Sequence, residues 1–274
     1  MAVFDQRILI LCKTYPSPSG KYVETSCVAG VLPNGELIRL FPVPFRLIKA
    51  DQQFKKWQWI SAKIEKARAD HRPESFQIKV DTVQCDPGPI STKNRWIERR
   101  KVIAETPTFE LFSKILQAND EEQTSLALLR PARILELIIE PVSHSEWTED
   151  EIGKLMQQQR QGTLFEERDN VELRTLKKLP YSFYDRYECE ASDGVIEEWR
   201  HKISDWEAGA LYWNCVRNYG NNWEEKFRTK MFDSMVGRDM IFLMGNIHRF
   251  QKQWLIVSLL YPPRSDEIQK DLFG

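Results

Sequence analysis

The chain has 274 residues, of which 42% are hydrophobic and 11% aromatic, and its formal net charge is −1. This length suits one large or two ordinary domains, and the apolar content can offset the conformational entropy of folding, which excludes a disordered chain. The longest apolar runs are far shorter than the ~20 residues that cross a bilayer, and the N-terminus lacks the pattern of a signal peptide. We therefore predict a cytoplasmic protein without membrane contact.

The charges are unevenly distributed along the chain. Residues 1–110 contain 18 Lys and Arg against 12 Asp and Glu, whereas residues 111–274 contain 21 against 28. A basic half can bind polyanions, and an acidic half can dock basic partners. The five cysteines are scattered and never spaced as C-x-x-C, so the sequence indicates neither a disulfide framework nor a zinc site.

The first part of the chain is rich in strand patterns. The apolar run 7–14 predicts a buried strand, and Asn34-Gly35 between two apolar runs predicts a hairpin over 23–41. Period-two alternation predicts further strands over 57–66 and 75–85. A barrel or strongly curved sheet of about five strands, with helices attached, would bury all these apolar faces.

Helices and a further strand follow in the sequence. The segment 45–56 is compatible with a short helix, 92–104 and 107–118 predict two longer ones, and 132–141 predicts another strand. Thr148 begins a T-x-x-E capping box and hence a helix. The polar, glutamine-rich stretch after it is the best candidate for a linker.

The C-terminal part predicts the order β-β-α-α-β-β. Asp193-Gly194 marks a hairpin, a capping box at Ser204 and Glu207 begins the first helix, and two apolar strands end the pattern. The predicted fold class is therefore α+β, with a β-rich N-terminal domain and a smaller α+β C-terminal domain. The predicted divisions are a first domain at 1–161, a linker at 162–172, a second domain at 173–264 and a tail at 265–274.

Common cofactor and catalytic motifs are missing from the sequence. There is no phosphate-binding glycine loop, H-E-x-x-H, G-x-S-x-G or kinase signature, and the four histidines are never at metal-ligand spacing. The sequence therefore predicts no cofactor and no metal site, and it singles out no catalytic residue.

Basic and aromatic residues occur together in several segments, a mixture typical of proteins that bind single-stranded nucleic acid. The loop around His71 and Arg72 and the turn at His248 and Arg249 are two further basic segments, each between predicted strands. We predict a nucleic-acid interface, to DNA or RNA, formed by Lys55, Lys56, Trp57, His71, Arg72, Arg95, Trp96, Arg99, Arg100, Lys101, His248 and Arg249.

Two other functions remain open at this point. The acidic C-terminal domain could dock protein partners through tryptophan anchors at Trp199, Trp206, Trp213 and Trp223. Alternatively, the His71 loop could serve an enzyme that acts on nucleotides or nucleic acid, since a loop on a rigid scaffold is where sites concentrate.

Two segments, L-P-N-G-E-L-I-R-L-F-P-V-P-F-R and I-S-D-W-E-A-G-A-L-Y-W-N-C, resemble uncharacterised prokaryotic proteins. The resemblance implies a bacterial or archaeal origin and no activity or site residue.

Overall fold

The computed structural model describes residues 2–18, 24–45, 48–144, 148 and 177–264. Within these ranges the chain forms two sheets of seven strands each. The first sheet contains β1 (Phe4–Lys13), β2 (Ser17–Pro18), β3 (Glu24–Val31), β4 (Leu37–Val43), β5 (Gln58–Lys66), β6 (Ser75–Ile78) and β7 (Gln84–Pro89).

Five strands of the first sheet close into a barrel. Neighbours follow the order β1, β3, β4, β6, β5, and β5 pairs again with β1. All these pairs are antiparallel except β4 with β6. The predicted strand over 75–85 is divided into β6 and β7 by a 3-10 turn, because the Thr82 hydroxyl donates to Lys79 O and accepts from Lys63 N. The prediction of a barrel-like N-terminal region with five strands is confirmed.

The second sheet contains β8 (Thr108–Phe109), β9 (Leu126–Leu129), β10 (Arg133–Pro141), β11 (Tyr181–Glu190), β12 (Ile196–Ile203), β13 (Ile241–Ile247) and β14 (Phe250–Leu260). Its strand order is β10, β11, β12, β14, β13, β9, β8. The longer helices are α1 (Lys93–Ala104), α2 (Phe112–Glu122), α3 (Trp206–Tyr219) and α4 (Trp223–Arg228), and a π-helical turn, Thr229–Asp233, follows α4.

Apolar side chains cover both faces of the barrel wall. In β1, Ile8 and Ile10 point into the barrel interior, whereas Leu9 and Leu11 point outward and are equally buried. The outward residues of β3 follow the same rule. A strand that is buried on both faces needs a continuous apolar run, which is the pattern that the sequence carries at 7–14.

The second sheet covers this outer face of the barrel. In β13, Ile241 and Leu243 pack with Leu9 and Leu11, whereas Phe242 and Met244 face the opposite side of the sheet. That opposite side packs against α2, α3 and α4. The molecule is therefore layered as barrel, sheet and helices.

The barrel covers only part of the second sheet. Beyond it, β10, β11 and β12 carry cross-strand ion pairs on their other face, such as Arg186 with Glu136 and Glu198. These pairs are about half exposed, so water screens them and they contribute little to stability.

The two-domain organisation and the mixed α/β class, dominated by strands, are confirmed. The second sheet, however, takes strands from both sides of 162–172, where we predicted a linker, because β10 pairs with β11. Residues 108–141, predicted as part of the first domain, thus contribute β8, β9, β10 and α2 to the second unit. The stretch 162–172 and the helix predicted after Thr148 lie outside the described residues.

Several local predictions need correction. Residues 108–109 form β8 instead of helix, since they pair with β9, and the helix begins at Phe112. In the segment 45–56 the described helical structure is a 3-10 turn, Ala50–Gln52. The cap of α3 is Asp205, whose carboxylate accepts from Glu207 N at 2.8 Å, because Ser204 is still hydrogen-bonded to β14.

Within the described ranges, every helix is too short or too polar to cross a lipid bilayer.

We expect Leu243→Ala to lower the free energy of unfolding by about 2–5 kcal/mol, because the fully buried side chain lies between barrel and sheet. Urea unfolding followed by far-UV circular dichroism and by tryptophan fluorescence should give one shared transition at lower urea. Two separate transitions in the wild type would contradict a single packed unit.

Candidate functional site

Two segments that the sequence singled out separately meet at one edge of the barrel. The loop at 67–74, between β5 and β6, lies against the turn between β13 and β14. Arg72 Nη1 donates to the backbone oxygen of Asn246 at 2.6 Å and to its Oδ1 at 3.1 Å. His248 Nε2 lies 3.8 Å from Asp70 Oδ1.

A buried ion pair fixes the shape of the loop. Arg72 donates to the Asp70 carboxylate through Nε at 2.9 Å and through Nη2 at 2.6 Å. Burial raises the pKa of Asp70, but the hydrogen bonds and the charge of Arg72 outweigh burial and hold this pKa well below its usual range. Arg72, predicted to contact nucleic acid, therefore has its guanidinium engaged inside the protein.

A second set of bonds ties the same edge to the second sheet. The Glu74 carboxylate accepts from Ser125 N at 2.9 Å and from Ser125 Oγ at 2.6 Å. Arg39, on the outer face of β4, donates through Nη2 to Ser125 O at 2.7 Å. Arg72 and Glu74 therefore tie the second half of the loop to the second sheet.

Several exposed side chains of the loop and of the neighbouring hairpin are cationic, titratable or aromatic. They form a surface that we call the loop–hairpin surface, and it consists of Arg68, His71, His248, Arg249 and Phe250. Phe250 is 59% exposed, compared with 42% for Phe4 and 41% for Phe41. An exposed ring beside cations can stack on a planar group while the cations bind anions.

The predicted basic stripe on α1 is not exposed as a stripe. Residues 94–96 have positive φ, between 50° and 66°, so Arg95 and Trp96 precede the regular turns of the helix. Arg99 is buried between the rings of Trp57 and Trp96, with Cζ 4.8 Å and 4.6 Å from the ring centroids. Of the predicted α1 residues, only Lys101 is fully exposed, and it pairs with Glu98.

The residues before β5 also differ in their roles. Lys56 Nζ contacts Glu207 Oε2 at 2.9 Å and Asp205 Oδ2 at 3.4 Å. Burial opposes the charge of Lys56, but these two carboxylates outweigh burial and raise its pKa. Trp57 is buried, and Lys55 is exposed. Lys56 therefore connects the barrel to the N-terminus of α3, and it is not a free ligand for phosphate.

The tryptophans that we considered as anchors for protein partners are half-buried in internal contacts. Trp199 packs on Phe112, and Trp206 packs on Phe45. Trp213 Nε1 donates to Tyr15 Oη at 3.0 Å. The ring of Trp223 packs on that of Tyr212.

A polar cluster that the sequence did not reveal lies under the helices. Asp185 and His201 face each other on β11 and β12, and Tyr187 Oη is 2.9 Å from His201 Nδ1. Asp185 Oδ1 has no hydrogen-bond partner among the described residues. Burial raises the pKa of Asp185 to about 7 and lowers that of His201 to about 4. In the sequence, the only sign is an acid at an inward position of an otherwise apolar alternation.

The comparisons with known proteins agree with the division into two sheets. A family model described as a domain of unknown function (DUF8757) matches residues 107–274. The chain belongs to this family. A second model, also described as a domain of unknown function (DUF8758), matches residues 4–105, which contain the barrel and α1. No curated protein matches the sequence.

The DUF8757 match begins just before β8, so the family boundary falls where the chain leaves the barrel domain. The loop–hairpin surface takes residues from both matched regions, since its loop lies in the first and its hairpin in the second.

We expect Asp70→Asn to destabilise the protein by about 3 kcal/mol at neutral pH, because it leaves the buried Arg72 with a neutral partner. The stabilisation by Asp70 is present above the ordinary aspartate pKa of about 3.9 and is lost at lower pH. The difference in unfolding free energy between the wild type and Asp70→Asn should therefore shrink in acid. Urea titrations at several pH values measure this difference. Asp86→Asn, which weakens the half-exposed pair with Arg7, serves as the control and should cost under about 1 kcal/mol.

We expect Asp185→Asn to stabilise the protein at pH 8, by about 1.4 kcal/mol for each unit of its raised pKa. A carboxyl whose pKa is raised on folding stabilises fully only below its unfolded pKa, so the gain should grow from about pH 4 to pH 7. Thermal or urea unfolding of the wild type and of Asp185→Asn at several pH values measures this gain in stability. An equal effect of Asp5→Asn, at an exposed position, would refute this account.

Proposed function

We propose that the protein binds single-stranded nucleic acid, without catalysing a reaction, through the loop–hairpin surface. The observation that carries the proposal is the exposed Phe250 ring, which follows exposed His248 and Arg249 in the hairpin that Asp70 and Arg72 of the loop contact. A base would stack on Phe250, and Arg68 and Arg249 would contact the phosphates on either side.

The architecture of the barrel supports this choice of surface. A closed barrel of five strands, with one parallel pair in an otherwise antiparallel order, has the strand arrangement of the OB type. OB barrels bind oligonucleotides or oligosaccharides with their second and third strands and with the loops after the first and fourth strands. A fold alone does not decide function, so the side chains carry the argument.

The second sheet restricts where a strand could bind on this barrel. The outer faces of β3 and β4, the second and third barrel strands, pack against β9 and β13. The loop after the fourth barrel strand is 67–74, which is the loop of the proposed surface. A ligand would therefore contact the edge of the barrel and not the usual face.

The size of the surface predicts weak and moderately salt-dependent binding. Two arginines contribute full charges, and the two histidines add charge only when protonated. Each neutralised phosphate of a single strand contributes about 0.7 to the logarithmic salt slope, so we expect a slope of about 1.5 at neutral pH. Stacking on the phenylalanine would contribute a part that salt does not screen.

Fluorescence anisotropy with labelled single- and double-stranded DNA and RNA, over a salt series, tests the proposal. We expect Phe250→Ala to weaken single-strand binding about 10-fold with an unchanged slope, and Arg249→Gln to lower the slope by about 0.7.

Two control variants change similar residues outside the surface. Phe4→Ala removes another exposed phenylalanine, and Lys101→Gln removes an exposed cation of α1. Both should bind as the wild type does. If Lys101→Gln weakens binding and Phe250→Ala does not, the contact lies on α1 and the proposed surface is wrong.

A further inference from the structure

A cleft of about 420 Å³ opens where the two domains meet. It lies between the C-terminal end of α1, the start of β8 and the start of β13. None of its lining residues belongs to the loop–hairpin surface. Its volume lies within the range of small-molecule sites.

Two guanidinium groups converge on one carboxylate in the cleft. Arg130 Nη1 donates to Asp239 Oδ1 at 2.6 Å, and Arg100 Nη1 donates to Asp239 Oδ2 at 3.4 Å. Both carboxylate oxygens are thus engaged, and the three groups together keep one positive charge. Asp239 N donates to Pro262 O at 3.0 Å, which fixes the carboxylate in the wall of the cleft.

The two arginines differ in what they can still bind. Arg100 is fully used, because it also donates to the backbone oxygens of Arg95 and Pro263. Arg130 is 47% exposed, and in the described part of the chain its Nε and Nη2 have no acceptor. This pair of donors is the edge of a guanidinium that binds a phosphate or carboxylate in a bidentate manner.

Half of the ten lining residues of the cleft are apolar. They are Ile103, Ala104, Pro107, Ile241 and Pro262. These residues stabilise a bound flat or aliphatic group by burying its apolar surface, and they do not contribute to the binding of a bare inorganic ion.

The charge around the cleft favours an anion with two negative charges. Exposed Arg238 and Arg264 stand next in sequence to Asp239 and to Pro263. Asp239 is the only acid among the lining residues, and Glu105, which follows the cleft residue Ala104, is the nearest in sequence beyond them. A phosphomonoester dianion matches this excess better than a carboxylate does.

We propose that the cleft binds a small phosphomonoester with a flat apolar body, of the size of a nucleoside monophosphate. Its phosphate accepts from Nε and Nη2 of Arg130, and its body packs on Ile103 and Pro262. This site is independent of the proposed nucleic-acid surface.

Isothermal titration with adenosine monophosphate, adenosine and inorganic phosphate tests the site. We expect saturable binding of the monophosphate, and binding at least about 10-fold weaker for each of the other two probes. The proposal is overturned if the monophosphate does not bind at millimolar concentration. It is also overturned if adenosine or phosphate alone binds equally well.

Three variants locate the site. Arg130→Gln should weaken binding of the monophosphate about 10-fold or more, and Ala104→Trp should block it by filling the cleft from an exposed helix position. Arg133→Gln is the matched control, since Arg133 is also exposed and paired with one carboxylate, Glu188, and it should bind as the wild type does. Equal losses in Arg130→Gln and Arg133→Gln would refute the site.

The same three variants separate this inference from the proposed function. Each should bind labelled oligonucleotides as tightly as the wild type, whereas Phe250→Ala should bind the monophosphate normally. A loss of oligonucleotide binding in Ala104→Trp would mean that the cleft belongs to a nucleic-acid-binding surface. The proposal of an independent small-molecule site would then be wrong.

Discussion

The apolar face shared by the barrel and the second sheet is the contact on which the rest of the structure depends. Leu9 and Leu11 on one side and Leu243 on the other are each at most 1% exposed. The strands that meet at this contact are buried on both faces, so their side chains there are mainly apolar. The contact covers the barrel face with which OB-type proteins bind ligands, and for this reason both proposed sites lie elsewhere, at the edge of the barrel and at the junction between the domains.

Polar side chains close this apolar contact at its margins. Lys56 reaches Asp205 and the carbonyl of Leu259, and Arg72 reaches Asn246 from the other domain. Lys56 has its counter-charges in the other domain, whereas Arg72 has its counter-charge in Asp70 and uses Asn246 as a neutral acceptor, so both buried cations are paired. Four of the lysines and arginines that the sequence suggested as nucleic-acid ligands, Lys56, Arg72, Arg99 and Arg100, thus make contacts within the protein.

The sequence predicted the barrel, the mixed α/β class and two domains, because these follow from local periodicity and turn chemistry. It did not predict where the domains divide: the glutamine-rich stretch has the composition of a linker, yet β10 and β11 on either side of it pair. Nor could helical spacing predict the left-handed turn at Trp96, where the indole packs on Trp57. For the candidate site, the sequence supplied the His71 and His248 segments, and only the fold brought them together.

Asp185 and His201 illustrate how a packed sheet tolerates two ionisable groups. Between about pH 4 and 6.5, the folded protein holds a proton on Asp185 that the unfolded chain releases, whereas the unfolded chain holds a proton on His201 that the folded protein lacks. The two contributions to the pH dependence of stability have opposite signs and nearly cancel in this range. Above it, His201 is neutral in both states, so only the Asp185 term remains. Raising the pH therefore moves the cost of burial from His201, whose imidazole is disfavoured as a cation in acid, to Asp185, whose carboxyl must ionise among apolar side chains at neutral and alkaline pH.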